Sequence, residues 1–187
     1  LVEQLRTALT KEVVQEMVSA GINLPNTGLV NVWDEITWPA ANFTGTAFAG
    51  MKKIFHTNTH YRPVIVTGEI SRKAPIADTL YNAASEVHPR VKIELPGPYT
   101  LAQHSVLGEG SPYTTIEELA RAYARVYREE LLHLKNVPFI QFNEPSAVAF
   151  GREHPHIAML PEFYAMMLDG VTVPTGVWTF YGMYSPE

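Results

Sequence analysis

The 187-residue sequence contains no cysteine. That excludes disulfides and every zinc site built on thiolates, and it suits a cytoplasmic protein. No run approaches the roughly 18 apolar residues of a membrane-spanning helix. Positive charge is not in excess: 14 Lys and Arg stand against 19 Asp and Glu, a net charge of -5. A nucleic-acid surface, which needs a basic stripe, is therefore not expected. The glycine-rich phosphate turn of nucleotide-binding sheets is missing, as are repeats and low-complexity tracts. Leu1-Val-Glu-Gln-Leu-Arg6 reads as an amphipathic helix already under way, not a signal peptide. That start, without methionine, and the abrupt end at Met183-Tyr-Ser-Pro-Glu187 are those expected of a trimmed segment. What remains is an ordinary globular composition, 46% hydrophobic and 18% charged, at a length that suits one domain.

Periodicity divides that domain. Val2, Leu5, Leu9, Val13 and Met17 predict a helix over 2–20, closed by Gly21. Residues 22–24 read as a short strand. Residues 29–60 are aromatic without a sustained period and read as an irregular insertion over one face. Residues 63–66 predict a strand, 74–87 a helix and 91–95 a strand. The firmest helix spans 115–134, opened by the capping box Thr115-Ile-Glu-Glu118, with Tyr123 and Tyr127 on its core side. A strand over 137–141, a helix over 160–168 and a strand over 176–182 complete the pattern. Strands alternating with helices imply a parallel α/β sheet with right-handed crossovers.

Polar groups stand at strand end after strand end. The apolar run before Asn143-Glu144-Pro145 stops where Pro145 cannot continue a ladder. A carboxylate and an amide are thereby presented where parallel α/β folds place their sites; the plainer reading has Glu144 bracing a loop. Pro96-Gly-Pro-Tyr99-Thr100-Leu-Ala102 reads as a rigid turn that brings backbone close to whatever lies above the strand. His56, Asn58, His60, Tyr61 and Arg62 crowd directional side chains into seven residues. Ligand hydrogen bonding suits them better than metal ligation, which would need a third ligand. This distribution favours a (β/α)₈ barrel over an open sheet. Since a full barrel takes about 250 residues, about five of eight strands are expected here, in one incomplete domain over 1–187.

Four stretches resemble the cobalamin-independent methionine synthase family. His56-Thr-Asn-Thr-His-Tyr61 is similar to its Trp-Phe-Asp-Thr-Asn-Tyr-His-Tyr stretch, and Pro96-Gly-Pro-Tyr-Thr-Leu101 to its Gly-Pro-Tyr/Val-Thr turn. Ile140-Gln-Phe-Asn-Glu-Pro-Ser-Ala147 resembles its Ile-Gln-Ile-Asp-Glu-Pro-Ala, and Thr179-Phe-Tyr-Gly182 its Thr-Tyr-Phe-Gly. The resemblance implies a methyltransferase of methionine biosynthesis built from two (β/α)₈ barrels. Of these, the carboxyl-terminal one holds zinc for homocysteine through a histidine, a glutamate and two cysteines. The amino-terminal barrel is a non-metallated relative that helps to hold the folate methyl donor, and this chain resembles that type or a free-standing archaeal version. Phe180-Tyr-Gly182 stands where a zinc barrel has His-x-Cys, and Asn143 where the family has aspartate. The resemblance thus implies no metal or cofactor on this chain, with zinc supplied by a second barrel or chain. The ligand residues expected are Asn143, Glu144, His56, Asn58, His60, Tyr61, Arg62, Tyr99 and Thr100; no catalytic residue is assigned. Two other readings of the residues are a retaining glycoside hydrolase, for which Asn-Glu-Pro would supply the acid/base, and a non-catalytic barrel that docks a partner.

Overall fold

The computed structural model describes residues 1–30, 32–54, 58–149 and 155–180. In chain order the elements are α1 (Val2–Ser19), β1 (Thr46–Phe48), β2 (Lys52–Lys53), β3 (His60–Tyr61), β4 (Val64–Val66) and α2 (Asp78–Ser85). There follow β5 (Ile93–Pro96), α3 (Pro98–Gln103), β6 (Ser105–Leu107), α4 (Ile116–His133) and β7 (Ile140–Asn143). The short α5 (Ser146–Ala149), then α6 (Leu160–Leu168) and β8 (Thr175–Trp178), complete the described α-helices and strands, beside 3-10 turns at Trp38–Asn42 and Pro155–Met159.

The α/β class is as expected from the sequence. β5, β7 and β8 form an all-parallel sheet in that order, with Ile93 opposite Ile140 and Asn143 opposite Trp178. A parallel bridge between Asn26 and Lys92 continues the array on the far side of β5. Side chains alternate across a strand, and that alternation assigns the two faces. Phe142 meets Tyr127 of α4 at 6.0 Å and Tyr164 of α6 at 5.8 Å between ring centroids. Gln141 and Asn143 consequently point away from the helices.

α4 organises the helical side, packing against both α3 and α6. Thr115 Oγ1 accepts from the backbone N–H of Glu118 at 3.2 Å, which makes the expected cap. Leu119, Tyr123, Tyr127 and Leu131 are buried along one stripe, each contributing on the order of 2 kcal/mol through burial. The core placement of both tyrosines follows the expectation.

Several expectations need correction. Residues 64–66 do not join the parallel sheet. β4 lies between β1, antiparallel to it, and β6, parallel to it, in a separate three-stranded sheet. Part of the stretch read as an irregular insertion thus supplies an edge strand, and Trp38 and Phe43 enter the main core. The strand expected over 22–24 is reduced to the single bridge at Asn26. Among the described residues the parallel array therefore has three strands and one bridge, where about five strands were expected. The turn expected at 96–102 is helix α3, because Pro98 sits at its first position, where no N–H is needed. α2 begins only at Asp78, and buried Glu130 of α4 accepts from the N–H groups of Ile76 and Ala77 just ahead of it at 2.9 and 2.8 Å. α1 packs from its middle onward, with Thr10 and Val14 buried. Val14 is buried with Ala84 and Val91, while Val2 and Leu5 are 61% exposed.

Candidate functional site

The end of β7 is tied to its neighbours by backbone and side chain together. Glu144 N–H donates to the Trp178 carbonyl at 2.8 Å, and Gly97 N–H donates to the Asn143 carbonyl at 2.7 Å. The chain then turns at Pro145, and the Glu144 side chain runs beneath the start of α3. Its carboxylate accepts from Tyr99 N–H at 3.1 Å, Thr100 N–H at 2.8 Å, Thr100 Oγ1 at 2.6 Å and the Tyr164 hydroxyl at 3.2 Å. These are the free N–H groups of a helix start, where a carboxylate is favoured by both hydrogen bonding and dipole. No side chain fits at Gly97, because a Cβ there would lie 2.1 Å from Glu144 Cδ. Burial pushes the Glu144 carboxyl up to about 7, against the pull of the Thr100, Tyr99 and Tyr164 hydrogen bonds. Glu144 is wholly buried, and what it holds in the structure is α3.

On the opposite face of the sheet a second set of polar groups lines up. Lys92 Nζ donates to Glu94 Oε1 at 2.8 Å and to Gln141 Oε1 at 2.6 Å, and Gln141 Nε2 donates to Asn143 Oδ1 at 2.7 Å. Lys92 Nζ also sits 5.7 Å from the centroid of the Trp178 ring, which is 53% exposed. Lys92, Glu94 and Gln141 were not singled out from the sequence. Strand alternation from Asn143 was the signal that could have found Gln141, but the pairing of β5 with β7 that brings Lys92 alongside is non-local.

The hairpin residues lie elsewhere. Asn58 and His60 are exposed, and Arg62 binds the Asp34 carboxylate through its backbone N–H at 3.3 Å. Tyr61 is half-buried and meets the His104 ring edge-on at 4.6 Å. Burial and the Asp34 charge hold the Tyr61 hydroxyl above its usual range, while burial lowers His104 to about 4. His104 follows directly on α3, so Tyr61 meets the far end of the helix that Glu144 holds at its start. The structure thus gathers Glu144, Tyr99 and Thr100, sets the Asn143 side chain on the opposite face of the sheet, and relates Tyr61 to the first three only through α3. His56 lies outside the described residues.

A cavity of about 540 Å³ opens on the helical side between β8 and α6, lined by Ile157, Leu160, Tyr164 and Val177 with Glu144 among them. Among the described residues no group of three His, Asp or Glu side chains could hold a metal ion. With no cysteine in the sequence, the donors present do not fit the zinc that the family resemblance implies for its other barrel. No helix of the described residues is long and apolar enough to cross a membrane.

Comparison with known proteins decides the family. Residues 42–186 match the model of the cobalamin-independent synthase N-terminal domain. The chain belongs to this family. It is 27% identical over 177 residues to a methionine synthase of Sulfolobus acidocaldarius, covering 92% of this chain and 50% of that protein. It is also 32% identical over 146 residues to one from Thermoplasma volcanium, covering 68% and 41%. The chain thus spans about half the length, or less, of these curated relatives. The fold is shared with the structure of a B12-independent methionine synthase from Shewanella sp. W3-18-1 in complex with selenomethionine. That match has a TM-score of 0.80 at 22% identity, over 95% of this chain and 52% of that one.

Proposed function

We propose that this cobalamin-independent synthase domain is part of a (β/α)₈ barrel that binds a methyltetrahydrofolate- or homocysteine-like ligand at the carboxyl ends of its strands. It serves methyl transfer in methionine biosynthesis, in the cytoplasm, with the metal-bound thiolate supplied by a second barrel or a partner chain. The observation that carries this reading is the end of β7. There Asn143 faces the open side of the parallel sheet, while Glu144 fixes α3 beside it through two backbone N–H groups. Parallel α/β folds use this edge for ligands, because backbone and side-chain groups of successive strands converge there. In this arrangement Asn143 is the contact and Glu144 is the positioning residue. Tyr99 and Thr100 set the height of α3. Tyr61 borders its far end, with Asn58, His60 and Arg62 beyond as an outer rim, and His56 joins the ligand residues on its motif alone.

Calorimetric titration of the purified chain tests this reading, with methyltetrahydrofolate triglutamate, homocysteine and a simple oligosaccharide in parallel. Saturable heat with the folate or homocysteine and none with the sugar is the expected outcome. Heat with the sugar alone would move the chain to glycoside chemistry, and no heat with any of them would make it a docking domain.

A further inference from the structure

The polar line on the open face of the sheet has a direction. An ammonium group carries donors only, so the Gln141 atom that Lys92 Nζ meets at 2.6 Å must be the amide oxygen. The Gln141 nitrogen then faces Asn143 at 2.7 Å, and whatever it meets there must be an acceptor, Oδ1. Asn143 is left with Nδ2 as its outward group, and no described residue accepts from that nitrogen. Lys92 cannot turn to relieve the arrangement. Glu94 holds it at 2.8 Å from one side, the Trp178 ring lies 5.7 Å away, and Gln141 is only 7% exposed. Each amide in such a chain polarises the next, which strengthens the terminal donor.

We infer that Asn143 Nδ2 recognises a carboxylate oxygen of the ligand, and that Gln141 is the positioning residue that points this donor outward. The inference rests on the ligand site proposed above and adds which group of the ligand meets β7. It makes Asn143 a reader of acidic groups, since its outward group is a donor, while Oδ1, which keeps a second lone pair, is turned inward to Gln141. The exposed Trp178 face, directly opposite Asn143 on β8, adds an apolar wall beside that donor. The α-carboxylate of an amino-acid thiol and a glutamyl carboxylate share this chemistry.

Competition titrations on the purified chain separate the possibilities. Mercaptobutyrate keeps the thiol and carboxylate of homocysteine without its amine; aminopropanethiol keeps the thiol and amine without the carboxylate; a γ-glutamyl dipeptide presents the other carboxylate source. Mercaptobutyrate or the dipeptide should compete with the bound ligand and aminopropanethiol should not, and whichever of the two competes identifies the source. Asn143→Asp keeps an acceptor for Gln141 but turns an oxygen outward, and should weaken carboxylate binding by about 10–100-fold. Gln141→Glu removes the donor to Asn143, allows its amide to turn over, and should weaken binding to a similar degree while leaving the melting temperature near that of the parent. A ligand-free readout accompanies these: in amide NMR the Gln141 side-chain protons should be protected from solvent exchange and those of Asn143 should not. Competition by aminopropanethiol alone, unchanged carboxylate affinity in Asn143→Asp, or an unprotected Gln141 amide would overturn the inference while leaving the ligand site standing. Absence of any binding by the parent chain would instead remove the site itself, and the inference with it.

Discussion

Glu144 gives the sharpest test of the forces at the end of β7, through its dependence on pH. Its carboxyl is moved from an ordinary 4.5 to about 7 by burial. Between those values the unfolded chain has released the proton and the folded chain still holds it. The contribution of this group to stability is therefore complete below pH 4.5 and is lost as pH rises through about 7. At about 1.4 kcal/mol per pH step, the loss over the window is about 3 kcal/mol. The parent chain alone would hide it. His104 is lowered from 6.5 to about 4, so its contribution is present above pH 6.5 and lost as pH falls towards 4, a slope of opposite sign over much of the same range. Glu144→Gln removes only the carboxyl titration. Urea unfolding of parent and variant across the window should show the stability difference moving against the parent by about 3 kcal/mol as pH rises. A difference that stays constant would mean that Glu144 is ionised throughout, and that the hydrogen bonds from Tyr99, Thr100 and Tyr164 outweigh the cost of burial.

Other predictions concern the packing that carries the site. Tyr123→Ala should cost about 3–5 kcal/mol in denaturant unfolding, as for a buried aromatic side chain, and would also free Ser105, whose hydroxyl lies 2.9 Å from the Tyr123 oxygen; a loss below about 1 kcal/mol would place the ring at the surface. Tyr127 buries a hydroxyl with no hydrogen-bond partner among the described residues, so Tyr127→Phe should raise stability by about 1 kcal/mol, and a clear loss in the same unfolding assay would contradict this. Glu130→Ala would leave Arg72 and the N–H groups of Ile76 and Ala77 without their buried acceptor. It should cost about 3–5 kcal/mol, and a thermal melt unchanged from the parent would refute the bracing role.

The parts of the fold that were legible are those set by local chemistry. The Thr115 cap and the tyrosine stripe placed α4 within a residue at each end; the apolar run over 137–141 located β7 but overlaps it only at Ile140 and Gln141. The family motifs were legible for the same reason, since each is a short continuous stretch. What could not be read depends on groups distant in sequence. α3 forms at Pro98 because Glu144, 44 residues from Thr100, receives its first N–H groups. The start of α2 is tied to Glu130, 54 residues from Ile76. The removal of residues 64–66 from the parallel array depends on β1 and β6, and neither was predicted as a strand. The site divides in the same way. Asn143 and Glu144 stood out as a motif, but their separate orientations, one towards α3 and the other towards Lys92 through Gln141, follow only from the pairing of β5 with β7.

The central claim is that the ligand lies on the open face at the ends of β7 and β8. Fluorine NMR of the chain carrying fluorotryptophan tests it directly, because three tryptophans give three resonances, and the Trp178→Phe variant assigns one of them. Titration with methyltetrahydrofolate triglutamate or homocysteine should shift the Trp178 signal in a saturable way and leave that of buried Trp38 in place. Saturable binding by calorimetry with an unmoved Trp178 resonance would put the ligand elsewhere and contradict the account.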